Sequence, residues 1–116
     1  MELIALLSKD EDTWGQVSGL IKHGEWESII VVGNSDAKKF TAEKPFEFIS
    51  VDLEKRLKDL RDEFSKKLKG KFEGTEVGLS LASGNGKEHM ALISALINLP
   101  VGIRFAALTK EGVIDL

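Results

Sequence analysis

The chain has 116 residues, of which 42% are hydrophobic and 30% charged, and its formal net charge is −3. The length and composition predict one globular domain with a proper core, and the negative charge argues against a protein dedicated to long nucleic acids. The absence of cysteine excludes a disulfide framework, a zinc-finger pattern and a thiol nucleophile.

The sequence also disfavours a secreted, a membrane-spanning and a metal-binding protein. The N-terminal segment Met1–Ile4 lacks the basic region of a signal peptide, and no apolar run is long enough to span a membrane. The two histidines, His23 and His89, lie too far apart in the chain to suggest a metal site. We therefore expect a cytoplasmic protein with no membrane contact, no metal and no cofactor.

The first third of the chain predicts two buried strands separated by a helix. A continuous apolar run, Leu3–Leu7, is typical of a strand buried on both faces. Residues 8–13 are rich in capping and acidic side chains, and the apolar residues that follow at helical spacing predict a helix ending near His23. Residues 28–32 predict the second strand, and we interpret the polar segment 35–45 as a crossover loop.

The middle of the chain predicts an edge strand and an amphipathic helix. Phe46–Val51 alternates in polarity and predicts the third strand. Asp52 is the predicted cap of a long helix that ends at Gly70. Its apolar residues recur every three or four positions, which defines one buried stripe: Leu53, Leu57, Leu60, Phe64 and Leu68. The opposite face carries charges of both signs and is interpreted as solvated.

The segment Glu76–Pro100 predicts a strand, a glycine turn and a buried helix. Val77–Ala82 has the length of a strand, and the turn Ser83–Lys87 follows it. Met90–Leu99 is apolar nearly all the way round, which is typical of a helix with no solvent-facing side. We therefore expect either a neighbouring helix or a second subunit to cover it, and Ile93 is one of the residues that we take as outward-facing.

The C-terminal residues predict a β-hairpin. Gly102–Leu108 and Val113–Leu116 are the fifth and sixth strands, and the short turn between them makes the pair antiparallel. The alternation of strands and helices along the chain predicts an α/β fold. Specifically, we expect a doubly wound, mostly parallel, six-stranded Rossmann-like sheet with an antiparallel C-terminal strand.

The glycine turn stands at the start of a helix, where free N–H groups and the helix dipole favour an anion. It is not a P-loop, because Leu81 replaces the first glycine and Glu88 replaces the serine or threonine. It is not the dinucleotide fingerprint either, because His89 stands at the third glycine position. The alternative is that Gly84 and Gly86 only let the chain turn tightly and approach a neighbour.

The loops after strands one and four define the predicted site. Ligands of open α/β sheets bind outside the carboxyl ends of the strands, so these loops meet if the two strands are neighbours. Their hydroxyl, amide, N–H and lysine groups suit a phosphate or a nucleotide, although loop ends are polar in most proteins. The predicted ligand-binding residues, including one from the loop after strand two, are Ser8, Lys9, Asn34, Ser83, Gly84, Asn85, Gly86 and Lys87.

The order of elements and the turn resemble the CRISPR-associated Rossmann fold, or CARF, family. In that family the loop after strand four commonly reads Thr/Ser-Gly-Gly-Thr-Lys, with a methionine shortly afterwards. Here Ser83, Gly84 and Lys87 match that pattern in kind, Asn85 and Gly86 depart from it, and Met90 follows one residue later. The resemblance covers the whole chain as topology and this turn as motif.

The resemblance implies a homodimer that packs its last helices together and binds cyclic oligoadenylate across the two-fold axis. It also implies an alternative, a nuclease that opens this cyclic ligand, in which His89 would serve as general acid or base. A histidine in the first turn of a helix is more often a packing residue, so we expect binding without catalysis. The remaining alternative is a dimeric protein-interaction module that binds no ligand.

Overall fold

The structure is a computed structural model that describes residues 1–116. Its six strands form one sheet in the order β3-β2-β1-β4-β5-β6. The first five strands of the chain are parallel to their neighbours, and β6 is antiparallel to β5. The strands are β1 (Glu2–Leu7), β2 (Ile29–Gly33), β3 (Glu47–Ser50), β4 (Glu76–Ser80), β5 (Gly102–Thr109) and β6 (Gly112–Asp115). The predicted α/β, Rossmann-like fold is therefore confirmed.

Three α-helices cover the two faces of the sheet: α1 (Trp14–His23), α2 (Leu57–Leu68) and α3 (Gly86–Asn98). Helices α2 and α3 pack on one face and α1 on the other. Two short 3-10 helices, Glu11–Thr13 and Ser35–Lys39, follow β1 and β2. The second of these lies within the polar segment 35–45, for which the sequence predicts a crossover loop. None of the helices has the length and apolar character needed to cross a membrane.

Strand β1 is the centre of both cores. Its side chains alternate, so that Ile4 and Leu6 pack with α2 and α3 while Leu3, Ala5 and Leu7 pack with α1. Every residue of the strand is buried, as its continuous apolar run predicts. Strand β4 pairs with β1 in parallel, with Ala5 opposite Ser80. The loops that follow these two strands therefore meet at the same edge of the sheet.

Helix α2 begins at Leu57, so the prediction that Asp52 caps it is wrong. Residues 52–56 form a turn in which the Asp52 side chain accepts the N–H of Glu54 at 3.0 Å and its carbonyl oxygen accepts the N–H of Lys55 at 3.2 Å. Leu53 is buried, but its N–H is donated to the side-chain oxygen of Asn34, 2.9 Å away. Local hydrogen bonds of Asp52 and the distant partner Asn34 thus satisfy the N–H groups of this segment in a turn instead of a helix.

Helix α3 is covered on one side by α2 rather than being apolar to solvent all round. Its inward residues Ala91, Leu92, Ala95 and Leu96 share one core with residues of α2. Ile93 is half-buried and packs against that core, so its choice as an outward-facing residue is wrong. The exposed apolar residues of the helix are Met90 and Ile97, whose exposed fractions are 60% and 59%.

Candidate functional site

The loops after β1 and β4 are joined by a cluster of three hydroxyl side chains, which we call the hydroxyl cluster (Ser8, Thr13 and Ser83). The N–H of Ser8 donates to Ser83 Oγ at 2.8 Å, and Ser83 Oγ lies 2.6 Å from Thr13 Oγ1 and 3.1 Å from Ser8 Oγ. Ser83 is only 1% exposed. The structure therefore brings the predicted residues Ser8 and Ser83 together, where their side chains hold the two loops to each other.

The start of α3 forms a complete capping box. The Asn85 side chain accepts the N–H of Glu88 at 2.9 Å, and the Glu88 carboxylate accepts the N–H of Asn85 at 3.0 Å. The N–H groups of Gly86 and Lys87 make no hydrogen bond within the chain. These two groups stand at the positive end of the helix and are free to meet an acceptor, although the Glu88 carboxylate already offsets part of the dipole.

The two glycines of the turn have different roles. Gly84 has a φ of +115°, and a Cβ there would lie 2.4 Å from Leu6 Cδ2 and 2.7 Å from His89 Nε2. Only glycine fits that position without strain or displacement. Gly86 has no positive φ, and a Cβ there would meet nothing within 4 Å. Tight turning thus explains Gly84 and does not explain Gly86.

His89 holds the glycine turn against the first turn of α3. Its Nε2 lies 2.8 Å from the carbonyl oxygen of Ser83, and because a carbonyl only accepts, this nitrogen carries the proton. The ring is thereby committed as a hydrogen-bond donor. This contact does not favour His89 as a catalytic base acting through Nε2.

Both predicted lysines contact the turn at residues 52–56. Lys87 Nζ donates to the carbonyl oxygens of Leu53 and Lys55, each at 2.9 Å. Lys9 is exposed and forms an ion pair with Glu54. The hydrogen bond and the charge of this pair raise the pKa of Lys9 and lower the pKa of Glu54. Lys87 is thus a structural clip, whereas Lys9 can exchange its exposed partner for another anion.

Asn34 lies at the side of the predicted site, in a different electrostatic environment. Its side-chain oxygen accepts the N–H of Leu53, whose carbonyl oxygen in turn accepts Lys87 Nζ. Asn34 also lines an open cleft of about 580 Å³ at the carboxyl ends of β2 and β3. Four carboxylates and one lysine line this cleft, namely Asp36, Asp52, Glu54, Glu63 and Lys67. The carboxylates beside Asn34 repel anions, whereas the free N–H groups of Gly86 and Lys87 carry partial positive charge.

Sequence reasoning missed a residue at the opposite edge of the sheet. Glu2, the first residue of β1, is buried, and one of its carboxylate oxygens has no hydrogen-bond partner. The sequence signal was an acidic side chain directly before the continuous apolar run of a central strand. That placement predicts a carboxylate at the end of a buried strand, where a charge is costly unless it is paired or hydrogen-bonded.

The fold and the joined loops define a Rossmann-like α/β protein with a polar, glycine-containing turn at its switch point. No protein-family model matches the sequence, and no curated protein matches it. The resemblance to the CARF family accordingly stays a prediction.

Proposed function

We propose that this protein is a nucleotide-binding domain that acts as a homodimer in the cytoplasm, with cyclic oligoadenylate as the first ligand to test. One observation carries the proposal. The free N–H groups of Gly86 and Lys87 open α3 beside the joined loops of β1 and β4, at the switch point of the sheet. Free N–H groups at a helix start are a recurrent binding site for phosphate.

The rigidity of the turn supports this proposal. Gly84, the capping box and the contact of His89 with Ser83 fix the backbone that presents the two N–H groups. A site that is ordered before binding loses less conformational entropy when the ligand arrives. Lys9 supplies a cation on the rim, because its exposed pair with Glu54 is weak in water and can be replaced by a phosphate.

A titration with a set of adenylates tests the proposal. Cyclic tetra- and hexaadenylate are compared with linear oligoadenylate and ATP at fixed salt, by calorimetry and by thermal unfolding. Ligand at 100 times its dissociation constant should raise the free energy of unfolding by about 2.7 kcal/mol. Lys9→Gln should weaken binding about tenfold and leave the fold intact, because the lysine is exposed. Lys110→Gln, in the β5–β6 turn, is the matched control.

Lys87→Ala is a poorer probe, since it also removes two hydrogen bonds to the turn at residues 52–56. If none of the adenylates binds, or if Lys9→Gln and Lys110→Gln bind equally tightly, the proposed nucleotide site is wrong.

A second candidate function, a protein-interaction module, is favoured by the exposed apolar residues of the α2–α3 face. Leu57, Met90 and Ile97 are large apolar side chains that stand at least 40% exposed there. Leu57 and Met90 line the same cleft between the two helices, and contiguous exposed apolar surface marks interaction sites. Both candidate functions make this face the contact surface of the homodimer.

Sedimentation of the exposed-residue variants tests the dimer. The parent should sediment as a dimer, and Ile97→Glu and Met90→Lys should give a folded monomer because each places a charge in the proposed interface. Ile114→Glu, on β6, is an apolar-to-acidic change elsewhere and should stay dimeric. A parent that remains monomeric at high concentration, or variants that all sediment as the parent does, would exclude this interface.

A further inference from the structure

The edge of the sheet opposite the glycine turn carries an open cleft of about 630 Å³, which we call the amino-end cleft. It lies where β1 and β2 begin and is lined by four glutamates, Glu2, Glu27, Glu47 and Glu73, together with Lys71. Its volume is within the range of small-molecule sites. The excess of carboxylates makes the surroundings of this cleft attractive to a cation.

Glu2 is the innermost of these glutamates, with 7% of its surface exposed. Its Oε1 accepts the N–H groups of Glu73 and Gly74 at 2.8 and 2.9 Å. Its Oε2 is buried and is the one buried side-chain polar atom of the chain that has no hydrogen-bond partner. The two N–H groups fix the orientation of the carboxylate, and half of its acceptor capacity stays open.

An unsatisfied buried carboxylate oxygen is costly, so a donor that reaches it would be strongly favoured. The cations nearby are already engaged elsewhere. The Met1 ammonium donates to Glu27 at 2.6 Å, and Lys71 Nζ pairs with Glu47 at 2.7 Å. Glu73 has an exposed side chain that makes no hydrogen bond or ion pair. We therefore expect the hydrogen-bond donor for Glu2 Oε2 to come from a bound ligand.

The lining of the cleft restricts the class of cation. No three or more histidine or acidic side chains are grouped so as to hold a metal ion, whereas calcium takes six to eight oxygens. An ammonium group needs only one close carboxylate oxygen and offers three donors. Ile29 and Phe46 also line the cleft, and these side chains can pack against methylene groups.

We propose that the amino-end cleft binds an aliphatic di- or polyamine. One ammonium group donates to Glu2 Oε2, the alkyl chain lies along Ile29 and Phe46, and the distal ammonium groups are attracted by the rim glutamates. This site is separate from the proposed nucleotide site, which lies at the other edge of the sheet. Binding at one site does not require binding at the other, so each proposal can be tested separately.

Calorimetric titration with spermidine at low salt tests the proposal, with putrescine, Mg²⁺ and Ca²⁺ as comparison ligands. Glu2→Gln keeps the acceptor for the N–H groups of Glu73 and Gly74 and places an amide where Oε2 was. It should weaken spermidine binding about tenfold or more, as expected for a lost charge-assisted hydrogen bond. Glu73→Lys should also weaken binding, by an amount that falls as salt rises. Glu111→Gln, in the β5–β6 turn, should bind as the parent does.

Amide NMR shifts locate the ligand without relying on affinity. The N–H signals of Glu73 and Gly74 should move first in the spermidine titration, and those of Gly86 and Lys87 should stay in place. The proposal is overturned if the parent binds no amine at millimolar concentration, or if the divalent ions bind there and amines do not compete. It is equally overturned if Glu2→Gln and Glu73→Lys, both folded, bind spermidine as tightly as the parent.

Discussion

The two edges of the sheet use their polar side chains in opposite ways. At the carboxyl edge, Ser8, Ser83 and Lys87 all have hydrogen-bond partners within the chain. At the amino edge, Glu2 holds two N–H groups with one oxygen and leaves the other without a partner. The polar side chains of a loop can thus be used mainly to build the loop itself. A single acidic residue at the start of a strand can keep one carboxylate oxygen without a hydrogen-bond partner.

The two edges also present different chemical groups to a ligand. Once the hydroxyl cluster and the capping box are satisfied, the carboxyl edge presents backbone N–H groups and one exposed lysine, which suit an anion. The amino edge presents an oriented carboxylate beside three other glutamates, which suits a cation. Variants at the two edges should therefore differ in whether they change stability or binding.

The largest effect is expected at Gly84. Gly84→Val requires a branched residue at a φ of +115° and a Cβ close to Leu6 and His89. We expect the free energy of unfolding to fall by about 3 kcal/mol or more, because backbone strain and overpacking add. Gly86→Ala is the control and should change stability by less than about 1 kcal/mol. Denaturant unfolding measures both, and equal stability of the two variants would contradict the assigned roles of the glycines.

Smaller effects are expected from replacing Ser83, whose hydroxyl is hydrogen-bonded, and Glu2, whose Oε2 has no partner. Ser83→Ala leaves the N–H of Ser8 without its acceptor inside a buried cluster, and should cost about 1–3 kcal/mol of unfolding free energy. Glu2→Gln keeps both of its backbone hydrogen bonds and removes a buried charge. It should change stability by less than about 1 kcal/mol. Thermal and denaturant unfolding of the two variants check this order. A greater loss of unfolding free energy in Glu2→Gln than in Ser83→Ala would contradict it.

The smallest effect is a pH dependence at the carboxyl edge, carried by Glu63. Burial acts to raise the pKa of this carboxyl, but hydrogen bonds from Lys67 and the N–H of Asp52 outweigh it, so the pKa is lowered overall. Because the pKa is lowered in the folded state, the ionised carboxylate stabilises the fold at pH values above its ordinary pKa of 4.5. This contribution is lost as the pH falls below that value.

Unfolding of Glu63→Gln and the parent between pH 3 and 7 measures this contribution. The difference in free energy should be about 1 kcal/mol or less at pH 7 and should shrink towards pH 3. Glu111→Gln should show no such trend. A difference between parent and Glu63→Gln that grows on acidification would contradict the assigned cause.

The sheet could be predicted from the sequence because its signals are local. The apolar run Leu3–Leu7, the strand after it and the hairpin at the C-terminus each indicate a strand independently of the rest. The start of α2 could not be predicted in the same way. Leu53 continues the apolar spacing of the helix, but its N–H and carbonyl groups bond to the distant partners Asn34 and Lys87 within a turn.

The positions of the candidate site could be predicted more readily than the roles of its side chains. Parallel pairing of β1 with β4 brings Ser8 and Ser83 together, as the switch-point rule predicts. Which hydroxyl is buried, and which lysine is a clip, depends on contacts between residues more than thirty positions apart. Glu2 escaped notice for the same reason, because its N–H partners, Glu73 and Gly74, are contributed by the segment that leads into β4.

The most direct test of this two-edged arrangement is one amide NMR experiment in which the same sample is titrated with spermidine and then with cyclic tetraadenylate. Spermidine should shift the N–H signals of Glu73 and Gly74, and the nucleotide should shift those of Gly86 and Lys87, with neither ligand displacing the other. Shifts of one common set of amides by both ligands, or no shift at either edge, would contradict the assignment of a cation site and an anion site to opposite edges of the sheet.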